Sequence, residues 1–176
     1  MQFNEILKKR CSIRAYKNVE ITEQVLHEIL NAAISAPSAG NLQAYEMYIV
    51  TDKNIRQKLA AASWQQNFIV EAPVNIIFCA NLQLSAEKYS KRGSELYSIQ
   101  DATIAAAYLQ LAAVEVGLAT VWVGAFNEKE VKAIMNFPPH LKPVAIIPVG
   151  YPNEEPSPTP RRSFNDIVHE SSKGKK

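Results

Sequence analysis

The stretch SIQDATIAAAYLQLAAVEVG, residues 98–117, constrains this chain more than any other. Its alanines, leucines and isoleucines predict one long helix that is apolar on most of its circumference. Such a helix has no face to give to water and must be buried almost all round. In a chain of 176 residues, burial on every side exceeds what one copy provides. Ala105, Ala106, Ala112 and Ala113 are small enough to let another helix come close. An obligate homodimer is therefore expected.

The other elements supply the packing partners. FNEILKKR reads as a short first helix. TEQVLHEILNAAISA reads as a second, with Val25, Ile29, Ala32 and Ala33 at helical spacing, Thr22 as N-cap and Pro37 at its end. KNIRQKLAAASWQQ follows Asp52 as a third. NEKEVKAIMNF opens with Asn127 and Glu130 in the pattern of a capping box. EMYIVTD is strand-like, and APVNIIFCAN, LATVWVGAF and KPVAIIPVGYP are the continuous apolar runs of buried strands. Together they predict an α+β fold, a sheet with helices packed on it, with residues 1–176 as one domain. The segment YPNEEPSPTPRR holds Pro152, Pro156, Pro158 and Pro160, which exclude helix and central strand. Residues 152–176 are thus expected to form an extended arm. The apolar FNDIVH beyond it predicts that the arm docks back, on the partner subunit of a dimer, and SSKGKK reads as a solvated basic end.

Several function classes lose support. The net charge of +2 is too small to argue for nucleic acid. No apolar run approaches the roughly 20 residues that span a bilayer, and MQFNEILKKR lacks the apolar region of an export signal. The two cysteines, Cys11 and Cys79, are far apart, which fits a reducing cytoplasm. His27, His140 and His169 are scattered, so no metal site is expected. No Gly-x-Gly-x-x-Gly turn, Walker loop or Gly-x-Ser-x-Gly elbow is present.

Four stretches carry chemistry. In RCSIRAY, extended backbone would point Arg10, Ser12 and Arg14 one way and Cys11 and Ile13 the other. Arg10 beside Cys11 is the one arrangement that would activate the thiol, although a small buried filler explains Cys11 as well. In APSAGNLQAYEMYIV, Pro37 and Ala39 let backbone approach a ligand, while Ser38, Asn41 and Gln43 offer neutral hydrogen-bonding groups. In GLATVWVGAF, Gly124 at a strand end permits close approach of a ligand. In PRRSF, Arg161 and Arg162 return to the body if the arm docks.

Taken in order, Arg-x-Ser-x-Arg, Ala-Pro-Ser-x-x-Asn-x-Gln, LAAVEVGLATVWVG and PRRSFNDIVH resemble the nitroreductase family of FMN-dependent oxidoreductases over nearly the whole chain. The resemblance implies an α/β sandwich with a mixed sheet, an intertwined homodimer, and FMN in two interfacial clefts. Arg10, Cys11, Ser12 and Arg14, with Arg161 and Arg162, would hold the FMN phosphate and ribityl chain, Cys11 through its backbone. Pro37, Ser38, Ala39, Asn41 and Gln43 would touch the flavin from the other subunit. Val123 and Gly124 would lie under the ring with a backbone N–H directed at it. NAD(P)H would be the reductant, and a nitroaromatic, quinone or free flavin the acceptor, in a ping-pong cycle. Other readings on the same scaffold are dehalogenation, flavin breakdown, or a flavin store, carrier or redox sensor without turnover. Two departures stand out: Cys11 where the family often has Arg, and Ala44-Tyr45 where it often has Pro-Trp, which would change the pocket lining.

Overall fold

The computed structural model describes residues 1–170. In chain order the elements are α1 (Phe3–Lys9), α2 (Glu23–Ile34), β1 (Tyr45–Val50), α3 (Lys53–Ala62), α4 (Phe68–Glu71), β2 (Val74–Asn81) and α5 (Leu82–Arg92). A π-helical turn (Gly93–Tyr97) leads into α6 (Ser98–Glu115), followed by β3 (Ala119–Thr120), α7 (Glu128–Met135) and β4 (Leu141–Gly150). The caps follow the sequence signals. Thr22 accepts from the Val25 amide at 3.4 Å, Asp52 from Ile55 at 2.9 Å, and Asn127 binds the Glu130 side chain at 2.7 Å.

The four strands lie in the order β1-β2-β4-β3, every neighbouring pair antiparallel. Where a mixed sheet was expected, the parallel part among the described residues is a single bridge between Ser12 and Thr120. Side chains alternate across the sheet as the pleat requires. Ile76, Phe78, Ala145, Ile147 and Val149 meet α2 and α6 on one face. Ile77, Cys79 and Ile146 meet Leu59 of α3 and Val131 of α7 on the other. Covered on both faces, β2 can be apolar at nearly every position.

The strand expected over LATVWVGAF is shorter than its apolar run. Ala119 pairs with Gly150, Thr120 with Val149, and Val123 with Ile146, all in one register. In that register Val121 faces Pro148, which has no N–H to give, and the ladder lapses there. Trp122 turns half-exposed at this gap.

The long helix α6 is buried on one side only within a single chain. Ala102, Ala105, Ala106, Leu109 and Ala113 are sealed in the core. Gln100, Thr103, Ala107 and Tyr108 are exposed, and Ile99, Ile104, Leu111 and Ala112 are half-buried beside them. Of the four alanines expected to admit another helix, three already face the chain's own core and Ala112 alone lies on the open side.

The arm leaves β4 as an extended segment, as expected. The Asn153 amide donates to Ala15 at 2.9 Å and the Lys17 amide to Tyr151 at 2.9 Å, tying the exit of β4 to the segment after α1. Beyond it, Phe164 is 75% exposed and Ile167 56% exposed, so the apolar end does not dock on its own chain. Residues 171–176, the expected basic end, lie outside the described residues.

Candidate functional site

The segment RCSIRAY is set by three backbone facts. Arg10 closes α1 by donating its amide to Ile6 at 2.8 Å. The Ile13 amide donates to the Thr120 carbonyl at 3.1 Å, which fixes the chain as an extra extended segment beside β3. Tyr16 is buried, and its hydroxyl donates to the Ile13 carbonyl at 2.7 Å. Burial pushes the Tyr16 phenol well up from its usual range, with nearby Glu154 adding to the shift. The Glu154 carboxylate also accepts the Arg14 amide. The period-two reading holds for Ile13, which is buried, and for Ser12 and Arg14, which are exposed; Cys11, expected to face away with Ile13, is half-buried and lines the same cavity as Arg10, Ser12 and Arg14.

That exposed side forms the wall of a cavity of about 520 Å³. Arg10, Cys11, Ser12 and Arg14 line it together with Leu7 and Lys8 from α1, and with Ser157, Pro158, Thr159 and Arg161 from the arm. Four cations therefore face one cavity. Among the described residues, none of Lys8, Arg10, Arg14 and Arg161 lies within ion-pair distance of a carboxylate. Unpaired guanidinium groups grouped around a hydroxyl suit a phosphate, whose oxygens match the fork of Arg. Arg162, expected beside Arg161, turns away and donates to the Asp166 carbonyl. Sequence reasoning missed Lys8, because a lysine in the last turn of a helix looks like ordinary end chemistry.

A second, more apolar cavity of about 550 Å³ is lined by Pro37, Ser38 and Ala39, by Tyr97, and by Ile99, Asp101, Thr103 and Ile104 of α6. The loop that brings Pro37 to Gln43 here is wound tightly: φ is +55° at Gly40, +57° at Asn41 and +50° at Gln43. Two side chains hold it. Ser38 Oγ accepts the Gln43 amide at 2.9 Å, and Asp101 Oδ1 accepts the Ala39 amide at 2.9 Å. Asp101 is 2% exposed, and its Oδ2 has no partner among the described residues. Asn41 and Gln43 bond to each other at 3.2 Å. Ala44 and Tyr45, expected to change the pocket lining, are buried in the core, and the Tyr45 hydroxyl donates to Ala33.

The third expected group is divided. Val123 is buried, and both its amide and its carbonyl are taken up by Ile146 at 3.0 Å. Its N–H is not free for a ligand. Gly124 is exposed, beside the Trp122 indole. Close by in the chain's bonding, the Gln66 amide group reaches the Ala125 carbonyl at 3.0 Å, and the Asn127 amide donates to Ala62 at 2.8 Å. These bonds fasten the Gly124 loop to a turn at residues 63–65, where the sequence predicts a continuing helix that ends instead at Ala62. Trp64 and Gln65 there have φ of +53° and +60°, and Trp64 is 66% exposed. A bulky residue in the left-handed region is costly and marks a constrained place. Of the two thiols, Cys11 is half-buried at the cationic cavity, whereas burial pushes Cys79 up to about 12, with Glu46 adding to the shift.

A layered α+β sheet thus carries at one edge a cavity whose cations have no ion-pair partner among the described residues, and a tightly wound Pro-Ser turn beside an apolar cleft. The chain belongs to the nitroreductase family, whose sequence model matches residues 7–81 and 64–151. It is 30% identical over 187 residues to an NADH dehydrogenase of Thermus thermophilus, covering 91% of either protein. It is 28% identical over 183 residues to an FMN reductase [NAD(P)H] of Bacillus subtilis, covering 95% of this chain and 74% of that protein. The solved structure of NfrA2 from B. megaterium superposes with a TM-score of 0.90 at 29% identity, over 98% of this chain and 75% of its own.

Proposed function

We propose that this chain is an FMN-dependent oxidoreductase that takes hydride from NAD(P)H and hands electrons to a quinone, nitroaromatic or flavin-type acceptor by a ping-pong cycle. The observation that carries the reading is the cavity where Lys8, Arg10, Arg14 and Arg161 stand around Ser12 without an ion-pair partner among the described residues. This donor set fits FMN: a phosphate monoester is dianionic, and charge-assisted hydrogen bonds of this kind contribute about 1.5–3 kcal/mol each. FMN when bound supplies a ring nitrogen that accepts hydride and then returns two electrons.

The chain's own residues bind and orient. The cationic cavity holds the phosphate end. Gly124 brings no side chain and a backbone amide that has no backbone partner among the described residues. Pro37, Ser38 and Ala39 form a wall of the apolar cleft, fixed by Asp101 and by the internal bond from Ser38 to Gln43. One chain keeps the cationic and apolar cavities apart, each with its own lining. A homodimer packed along the open side of α6 would bring the turn of one copy to the cationic cavity of the other. It would also cover Tyr108, Leu111 and Ala112, apolar side chains that a lone chain leaves partly to water. Donor and acceptor then take turns in one cleft, which gives ping-pong kinetics.

The test is flavin binding to the apo-protein by fluorescence titration. FMN is expected to bind far more tightly than riboflavin, and Arg14→Ala to weaken FMN at least tenfold, the effect of losing roughly 1.4 kcal/mol. Equal affinity for FMN and riboflavin overturns the phosphate-cavity reading.

A further inference from the structure

The segment between β2 and α6 is built differently from the rest of the chain. Near the end of α5, Ser90 has φ +51° and ψ −140°, and the chain doubles back so that Gly93 meets the Ser85 backbone. A Cβ on Gly93 would lie 2.3 Å from the Ser85 carbonyl oxygen. The π-helical turn that follows carries Tyr97. Strained residues and π-turns cluster where a chain has something to hold.

This fold-back displays two cations on two aromatic rings. Tyr89 and Tyr97 meet edge to face with centroids 5.1 Å apart. Arg92 lies 5.4 Å from the Tyr97 ring and donates to its hydroxyl at 2.9 Å. Lys88 Nζ lies 5.5 Å from the Tyr89 ring. Both cations are exposed. Lys91, between them in sequence, is held by Glu95 at 3.6 Å, whereas Lys88 and Arg92 have no ion-pair partner among the described residues. The position of the pair gives it meaning. A Cβ on Gly40 would lie 2.3 Å from the Tyr89 hydroxyl and 2.6 Å from Lys88 Nζ, so Tyr89 and Lys88 close directly over the Pro37–Gln43 turn. Tyr97 is itself part of the apolar cleft with Pro37, Ser38 and Ala39. The cationic cavity of the arm shares no residue with it.

We infer that Lys88 and Arg92 bind a phosphate group of the nicotinamide dinucleotide. This rests on the reductase reading proposed above. A dinucleotide whose nicotinamide enters the apolar cleft must leave its phosphates outside, at the rim. That rim carries an ammonium and a guanidinium, each with its charged end beside a tyrosine ring and without a carboxylate partner among the described residues. The phosphate has two possible sources on one ligand, the pyrophosphate common to NADH and NADPH, or the 2′-phosphate of NADPH.

The test uses the FMN-loaded protein, the double variant Lys88→Ala/Arg92→Ala, and Lys91→Ala as control. Steady-state KM and kcat are measured for NADH and NADPH, and Kd for NAD+ and NADP+ by calorimetry. In the double variant, KM and Kd are expected to rise roughly tenfold or more with a much smaller change in kcat, because rim binding acts on ground state and transition state alike. Lys91→Ala is expected to match the wild type. Loss confined to NADPH and NADP+ assigns the pair to the 2′-phosphate; equal loss for both dinucleotides assigns it to the pyrophosphate. A double variant with unchanged KM and Kd for both overturns the inference and leaves the reductase reading standing. A wild-type flavin that neither dinucleotide reduces overturns both.

Discussion

Two glycines separate backbone strain from crowding at the site. Gly117 has φ +78° with nothing within 4 Å of a Cβ, so Gly117→Ala pays the cost of the left-handed region alone, about 1 kcal/mol. Gly40 has φ +55° and, in addition, Tyr89 Oη at 2.3 Å and Lys88 Nζ at 2.6 Å from the new carbon. Both atoms are ends of side chains and can move, but moving Tyr89 disturbs its edge contact with Tyr97 at 5.1 Å. Overpacking of this kind costs about 1–3 kcal/mol, which brings Gly40→Ala to about 2–4 kcal/mol in all. In a chain of this length each kcal/mol lowers Tm by about 2–4 °C. Gly117→Ala should thus lower Tm by about 3 °C and Gly40→Ala by about 6–12 °C. Calorimetric melts of both variants, compared at equal flavin saturation, provide the assay. Equal shifts in the two variants refute the close packing of the α5 fold-back on the Pro37–Gln43 turn.

Gly124→Val meets only the half-exposed Trp122 indole, 3.1 Å away, so Tm should fall by no more than about 2 °C. Reduction of bound flavin by NAD(P)H should slow more than tenfold in stopped flow, roughly the effect of a misplaced ring; unchanged reduction removes Gly124 from the site. Light scattering at micromolar concentration should give the mass of a dimer, and Tyr108→Glu, on the open side of α6, should shift the mass toward a monomer; a folded, FMN-loaded monomer in the wild type contradicts the dimer. Burial raises the thiol of Cys79 to about 12 from 9.0, and the Tyr16 phenol is raised as well. The unfolded chain therefore loses these protons first. Their contribution is intact below pH 9 and declines as pH rises toward 12, by up to about 1.4 kcal/mol per pH unit for each group. Urea midpoints at pH 8 and at more alkaline pH check this, and a flat profile contradicts it.

The cationic cavity was legible where it depends on local period. Arg10, Ser12 and Arg14 share a side because the segment is extended, and Ile13 turns inward to the core. Lys8 and Arg161 join them through the crossing of α1, the segment and the arm, which no local pattern encodes. Arg162 sits next to Arg161 in sequence yet faces away, because it caps its own turn. The helix α5 went unread: LQLSAEKYSKR has little apolar periodicity, and its clearest signal, Asn81 accepting the Leu84 amide at 3.1 Å, follows directly on a strand. Asp101 was not singled out in the sequence, because its hold on Ala39 depends on contact across 62 residues of chain. The shortened β3 reflects Pro148, a residue on the partner strand.

Anaerobic stopped-flow reduction of the purified, FMN-loaded protein tests the central claim most directly. Mixing with NADH or NADPH should bleach the visible absorbance of the bound flavin in a saturable reaction, and a quinone added afterwards should restore it. Varying both substrates in steady state should then give parallel double-reciprocal lines. A flavin that stays oxidised with both nicotinamides, while dithionite reduces it, contradicts the reductase reading and leaves a flavin carrier or sensor.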